Sequence, residues 1–315
     1  MEGSLAPRCG RRVFILGSAA AGLVPSALSA AETKTAESTK TSRILFGACR
    51  YGVEDVALMK SIGYDFWEWL AESAFNPAKD AEWWKRQRDE IAKRPLPLRS
   101  CTGFIPSRFR LTGPEADHAP ALDYAETVMR RADEAGLQAV VFGSGGARNV
   151  PGDFFSKDRK WRPDLQKGAE QYAEFCAALA KRIADLKTAC VVIEPLRPKE
   201  SNIVNFVWQG RQIVEDVASP RIMLLADIYH MMEGREEADS IIRAGKYLRH
   251  CHIADWKTRS FPGANPAQTY RLKPYFDALK AVGYCGGVSC ECGWGNKKDF
   301  AKNLEIALKT MKGMA

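Results

Sequence analysis

Short apolar runs of four to six residues alternate along this chain with longer stretches in which apolar side chains recur every three to four positions. The runs predict strands at Ile44–Ala48, Asp65–Trp69, Leu98–Cys101, Ala139–Phe142, Cys190–Glu194, Ile222–Asp227, Leu248–Ile253 and Gly287–Glu291. The periodic stretches predict helices at Glu54–Ile62, Glu82–Lys93, Ala121–Ala135, Asp164–Lys187, Ile203–Val217, Glu236–Ala244, Pro274–Ala281 and Asp299–Met311. That order is eight strand–helix units of about 34 residues each, the size of unit that closes an α/β (β/α)8 barrel. An open doubly wound sheet is the competing arrangement. It calls for a glycine-rich phosphate turn after the first strand, and Gly47-Ala48-Cys49-Arg50-Tyr51-Gly52 is a poor one.

The first 42 residues do not fit this pattern. Arg11-Arg12-Val13-Phe14-Ile15-Leu16 resembles a twin-arginine export signal, and an Ala- and Gly-rich apolar stretch and small residues Ala27 to Ala31 follow it. Residues 1–31 are therefore expected to be a signal peptide, 32–42 (ETKTAESTKTS) a flexible linker, and 43–315 the barrel. The expected location is periplasmic or extracellular; a cytosolic protein with a mis-assigned start is the alternative. No later segment is long and apolar enough to span a bilayer, so no stable membrane association is expected after cleavage.

Composition changes this picture little. The 315 residues are 46% hydrophobic and 27% charged, ordinary for a globular protein that buries a large core without disulfides. The leader's net +2 leaves about +6 of the formal +8, spread without a Lys or Arg run, which argues against a nucleic-acid partner. Nine cysteines are present, one of them in the leader, and none forms a CxxC pair. Cys251, Cys290 and Cys292 flank His252 and Glu291. Because strand neighbours point to opposite faces, these thiols are expected to face the helix layer.

The candidate chemistry sits at strand ends. Glu194, Asp227, His252 and Glu291 end four successive strands, and a barrel brings such residues together at its C-terminal mouth. Val192 and Glu194 share one strand face, as do Leu225 and Asp227. A single carboxylate there is commonly a cap or an ion-pair partner. Three carboxylates and an imidazole form a hard, oxygen-rich set suited to one divalent metal, Mn2+ first, then Mg2+ or Co2+, with Zn2+ less favoured. Two adjacent sugar oxygens could complete the shell.

Other positions are more open. His230 lies three residues past Asp227, which favours a site role. His250 and His118 read as surface or satisfied core. Gly143–Gly146 after the fourth strand allows a tight turn or a phosphate cradle, the turn being favoured. Arg148 beside it either reaches an anionic group or lies in solvent. Trp67, Trp256 and Trp294 are near the mouth and could stack on a sugar. Glu68 is a possible fifth site carboxylate.

These features together resemble the xylose isomerase-like barrel superfamily, in its sugar phosphate isomerase/epimerase branch, over residues 43–313. The resemblance is carried by Val141-Phe142-Gly143-Ser144-Gly145-Gly146-Ala147-Arg148, Ile193-Glu194-Pro195-Leu196, Asp227-Ile228-Tyr229-His230, His252-Ile253-Ala254-Asp255 with Arg259 and Pro262-Gly263, and Gly283-Tyr284 through Ser289-Cys290-Glu291. It resembles the ketose 3-epimerases most at the metal site. That likeness implies that Glu194 and Glu291 are both metal ligands and the acid/base pair, that Asp227 and His252 complete the shell, and that His230 and Arg259 contact substrate oxygens.

The implied reaction is isomerisation or epimerisation of a carbohydrate through an enediolate, one Glu taking the proton and the other returning it. A metal-dependent lyase or hydratase on keto-sugars or 3-keto-glycosides begins with the same proton abstraction. A non-catalytic sugar-binding protein is the reading from another class, and it would tolerate loss of one of the two Glu. The zinc endonucleases of this fold need more His than the four present. A homo-oligomer is possible.

Overall fold

The structure, a computed structural model, describes residues 43–49, 53–152 and 163–315; the expected leader and linker and residues 50–52 and 153–162 lie outside the described residues. Eight parallel strands close a barrel: β1 (Leu45–Cys49), β2 (Phe66–Leu70), β3 (Leu98–Thr102), β4 (Ala139–Phe142), β5 (Cys190–Ile193), β6 (Ile222–Asp227), β7 (Leu248–Ile253) and β8 (Gly287–Cys290). Closure is direct, with Leu45 of β1 in register with Gly287 of β8 and Ala48 with Cys290. The open-sheet alternative is thereby excluded.

Outside the barrel run α1 (Val56–Ile62), α2 (Ala81–Ala92), α3 (His118–Glu134), α4 (Pro163–Arg182), α5 (Val207–Val217), α6 (Asp239–Ala244), α7 (Lys273–Ala281) and α8 (Phe300–Met314). Local chemistry sets several ends. The Asp80 and Asp117 carboxylates accept from Trp83 N and Ala119 N and start α2 and α3. α4 stops five residues short of the predicted Lys187. Beyond it, the Asp133 carboxylate captures the N–H groups of Lys187, Thr188 and Ala189 and turns the chain into β5. The predicted start of the next helix at Ile203 moves to Val207, because Val204 adopts a left-handed backbone (φ 53°). Four short helices on the C-terminal side of the barrel had no periodic signal, at Ala71–Phe75, Gly145–Arg148, Ile228–Gly234 and Pro266–Thr269. Each is too short to show a repeat.

Strand alternation divides the interior into two apolar regions. Outward residues such as Val191, Ile193, Leu224, Cys251 and Cys290 join the helix-facing core, and Cys290 Sγ lies 3.6 Å from Met311 Sδ of α8. Inward residues Ala139, Val141, Cys190, Val192, Met223 and Leu225 form a separate plug inside the barrel. Across from this plug the Phe66 ring fills the lumen. Gly47 makes room for it, since a Cβ there would lie 2.2 Å from the ring. Below the mouth the barrel is thus packed solid, and chemistry is confined to one end. No helix among the described residues is long and apolar enough to cross a membrane.

Candidate active site

β5 to β8 deliver the predicted donors to one point. Glu194 follows β5, Asp227 ends β6, His252 is the fifth residue of β7 and Glu291 follows β8. The neighbouring strands hold them level, with Asp227 paired to His252 and His252 to Ser289. One ligand atom from each of the four lies within 4.8 Å of the others. His252 Nδ1 is 3.1 Å from Glu194 Oε1 and 3.7 Å from Glu291 Oε2. Glu194, Asp227 and His252 are buried, while the Glu291 side chain is 24% exposed and forms the solvent side of the group.

The local fold leaves room for this arrangement. Gly143, just past β4, faces Glu194, and a Cβ there would come within 2.2 Å of Glu194 Oε2. Asp227 also starts the short helix Ile228–Gly234, accepting from His230 N at 3.1 Å. That cap fixes the Asp227 carboxylate and brings the His230 ring to the site, its Nε2 3.6 Å from Asp227 Oδ2.

The charges are poorly balanced by protein alone. Burial, reinforced by the carboxylates of Glu291 and Asp227 against the pull of the His252 bond, pushes Glu194 up to about 7. Burial by itself would depress the His252 imidazole, but the carboxylates of Glu68, Glu291 and Glu194 overcome it and hold His252 well above the usual range. Three converging carboxylates with one imidazole, and space kept open beside Glu194, fit a hard divalent cation. His252 would ligate through Nδ1, alongside Glu194, Asp227 and Glu291.

Arg259 and Glu200 line the rim. Arg259 has a left-handed backbone (φ 50°) that turns its guanidinium back over the site, where it donates to Glu291 Oε2 at 2.6 Å and to Glu200 Oε1 at 3.0 Å. Glu200 Oε1 also accepts from Arg197 Nε at 2.7 Å, and Glu200 Oε2 is 3.7 Å from His230 Nε2. The Arg259 guanidinium lies over the Tyr229 ring, 5.0 Å from its centroid. Burial pushes the His230 imidazole down to about 3, so the ring is neutral. Neither of its nitrogens has a hydrogen-bond partner among the described residues, and Nε2 faces the site between Asp227 Oδ2 and Glu200 Oε2. Sequence reasoning missed Glu200. Its one signal was its position six residues after Glu194, and an acidic residue in a polar loop is unremarkable.

Three of the predicted substrate contacts lie elsewhere. Arg148 is fully buried, with Nε donating to Ser201 Oγ (3.2 Å) and the two terminal nitrogens to the carbonyls of Phe142 (3.2 Å) and Val204 (3.3 Å). It ties the end of β4 to the loop before α5 and contacts no ligand space. Its neighbour Ser144 takes a left-handed turn (φ 40°) into the helix Gly145–Arg148, so the glycine run is a tight turn. Trp67 points outward into the helix-facing core against Trp69 (centroids 5.3 Å apart), because its neighbours Phe66 and Glu68 take the inward positions. Glu68 does face inward, but it is fully buried behind His252. Its Oε1 is 3.0 Å from His252 Nε2 and its Oε2 3.1 Å from His250 Nε2, leaving no oxygen for a substrate. Trp256 stays near the mouth, half-buried, with Lys257 Nζ 4.7 Å and the Arg271 guanidinium 4.6 Å from its ring. Trp294 packs on Phe261 and Phe300, and His118 is satisfied by the Leu111 carbonyl at 2.9 Å.

The xylose isomerase-like TIM barrel family matches residues 56–313, and the chain belongs to that family. An L-ribulose 3-epimerase of Mesorhizobium japonicum is 35% identical over 127 residues, 39% of this chain and 41% of that protein. The match thus spans about two fifths of the curated relative's length. Among solved structures, a D-psicose 3-epimerase of Clostridium cellulolyticum with D-tagatose superposes with a TM-score of 0.70 at 16% identity, over 86% of this chain and 99% of that one. A 3-keto-D-glucoside 4-epimerase of E. coli superposes with a TM-score of 0.67 at 18% identity, over 85% and 100%. At such identities these superpositions show the shared fold.

Proposed function

We propose that this barrel is a divalent-metal-dependent sugar epimerase or isomerase that moves a proton α to a carbonyl through an enediolate. The observation that carries this reading is the pair of carboxylates, Glu194 and Glu291, gathered with Asp227 around a single imidazole nitrogen of His252 at the barrel mouth. The name of the Mesorhizobium relative, an L-ribulose 3-epimerase, supports a ketose as the substrate class.

Glu194, Asp227, His252 Nδ1 and Glu291 are the residues that would hold the metal, and Mn2+ suits their hardness best. The bound ion would polarise adjacent carbonyl and hydroxyl oxygens and so acidify the proton between them. The protein does the rest. Glu194, buried and in contact with His252 Nδ1 at 3.1 Å, is the first acid/base group. Glu291 is the second acid/base group, and the 2.6 Å bond from Arg259 aims its carboxylate and compensates its charge. Neutral His230 can donate to one substrate oxygen or accept from another. Glu200, between Arg197 and Arg259, closes the rim. Return of the proton to the opposite face of the same carbon gives an epimer; return to the neighbouring carbon gives an aldose–ketose pair. Export by the leader at residues 1–31 belongs to the same proposal, and the N-terminal mass of the secreted protein would check it.

The test is deuterium exchange from D2O into a panel of ketoses and 3-keto-glycosides, with Mn2+-loaded and chelated protein. Exchange at one carbon, lost on chelation and reduced about 10²–10⁴-fold in Glu291→Gln, is the expected result. Full exchange in Glu291→Gln would sink the assignment. Release of a leaving group would replace epimerisation with the lyase reading. Absence of both metal binding and exchange would leave a sugar-binding protein.

A further inference from the structure

We infer that Glu68 is a positioning residue for the metal centre: it accepts the Nε2 proton of His252 and thereby makes Nδ1 the ligating nitrogen, while His250 holds Glu68 in place. The inference rests on the metal reading above and concerns a residue that sits behind the site rather than in it.

A neutral imidazole carries one N–H and one lone pair, and only the nitrogen with the lone pair can ligate a metal. A carboxylate only accepts. Both nitrogens of His252 face a carboxylate, Nε2 with Glu68 Oε1 at 3.0 Å and Nδ1 with Glu194 Oε1 at 3.1 Å, so without an ion each can donate; only the Nδ1 side has further donors converging on it, so an ion there leaves the remaining proton on Nε2. Nδ1, 3.1 Å from Glu194 Oε1 and 3.7 Å from Glu291 Oε2 on the side where the donors converge, would give up its proton and offer its lone pair when an ion binds there. His252 thus bridges two carboxylate layers, and the deeper one selects its tautomer. A carboxylate behind a ligating imidazole also raises its basicity toward the ion.

Glu68 is itself held on both oxygens. Its Oε2 lies 3.1 Å from His250 Nε2. His250 and His252 are two apart on β7, so both face inward, with ring centroids 5.2 Å apart and planes at 83°. The His250 ring is fixed in turn against the edge of Phe66, with centroids 6.0 Å apart. The register of β2 on β3 shifts between Trp67 and Glu68, the kind of irregularity that re-aims a side chain. Glu68, His250 and His252 are all fully or almost fully buried, so water cannot substitute for this partner.

The same three residues also fall within metal-binding distance of one another. A second ion there would require His252 to ligate through both nitrogens at once, with neither carrying a proton. The positioning role needs no such charge.

The test measures Mn2+ affinity and stoichiometry by chelator competition in wild type and Glu68→Gln. The expected result is one ion in each, bound about 10- to 100-fold more weakly by the variant, with an unchanged circular dichroism spectrum. His250→Gln, which frees one oxygen of Glu68 but keeps its bond to His252, should weaken binding less. Equal affinity in wild type and Glu68→Gln overturns the inference, as does a fall from two ions to one. If Glu68→Gln does not fold, ¹⁵N-histidine spectra of the Mg2+-loaded wild type decide the matter, since the chain has four His to assign. A proton on His252 Nε2 is expected, and one on Nδ1 overturns the assignment. Failure of wild type to bind any metal refutes the metal reading itself, an outcome separate from a Glu68 variant that binds normally.

Discussion

The half of the barrel from β5 to β8 and the half from β1 to β4 serve the site differently. The later strands each place a donor at or next to their C-terminal end: Glu194, Asp227, His252 or Glu291. Among the described residues the earlier strands add none to that set. They supply Glu68 behind His252, and the missing side chain of Gly143 beside Glu194. One half provides atoms that would touch an ion; the other provides a proton acceptor and a space. The lesson is that supporting roles are as demanding geometrically as donor roles, yet they leave fainter marks in a sequence.

This contrast can be broken by experiment. The largest effect expected from the supporting half is at Gly143→Ala. Its new Cβ would lie 2.2 Å from Glu194 Oε2, so the carboxylate must move. A displacement of that size is expected to lower turnover about 10²-fold, with weaker Mn2+ binding and an intact fold. Near-normal turnover would show that the two halves are not coupled at this point.

Next is Arg148→Met, which separates a strut from a substrate contact. Removing three buried hydrogen bonds should lower stability by about 2–3 kcal/mol, read as a reduced midpoint in urea, with KM unchanged. A raised KM with unchanged stability would return Arg148 to the substrate site.

The smallest effect is expected at Asp255, in the loop after β7. Burial raises it to about 6, against the bonds from Thr269 and Asn265 that pull it down. A folded-state value above the unfolded one means that its contribution is fully present below about pH 4 and is lost as pH rises through about 6. The stability of Asp255→Asn relative to wild type should therefore improve from pH 4 to pH 7, as measured by chemical denaturation at each pH. A flat difference would mean that the loop solvates this carboxylate when folded.

How much of the site was readable depended on the kind of signal. A carboxylate ending an apolar strand stands out against its neighbours, and three of them with an imidazole at equivalent positions reinforce one another. Glu68 stood out less, between two tryptophans, and neither its direction nor its partner was legible, since its strand neighbour Trp67 was an equal candidate for the mouth. His250 read as surface or satisfied core; it is core, satisfied by a carboxylate 182 positions earlier. Trp67 and Arg148 carried chemistry suited to a sugar or an anion, and packing spent both on the interior.

Strand and helix periodicity, being local, determined eight strand–helix units, which residues share a strand face, and the four candidate donors at strand ends; the unit count favoured a barrel, and the β1–β8 pairing closed it. Which nitrogen of His252 meets the donors, that Glu68 and His250 stand behind it, that Glu200 joins Arg259 at the rim, and that Gly143 keeps room for Glu194 were decided only by tertiary structure. These depend on atoms brought within hydrogen-bonding or steric range by barrel closure, and forces of that range leave no periodic trace along the chain.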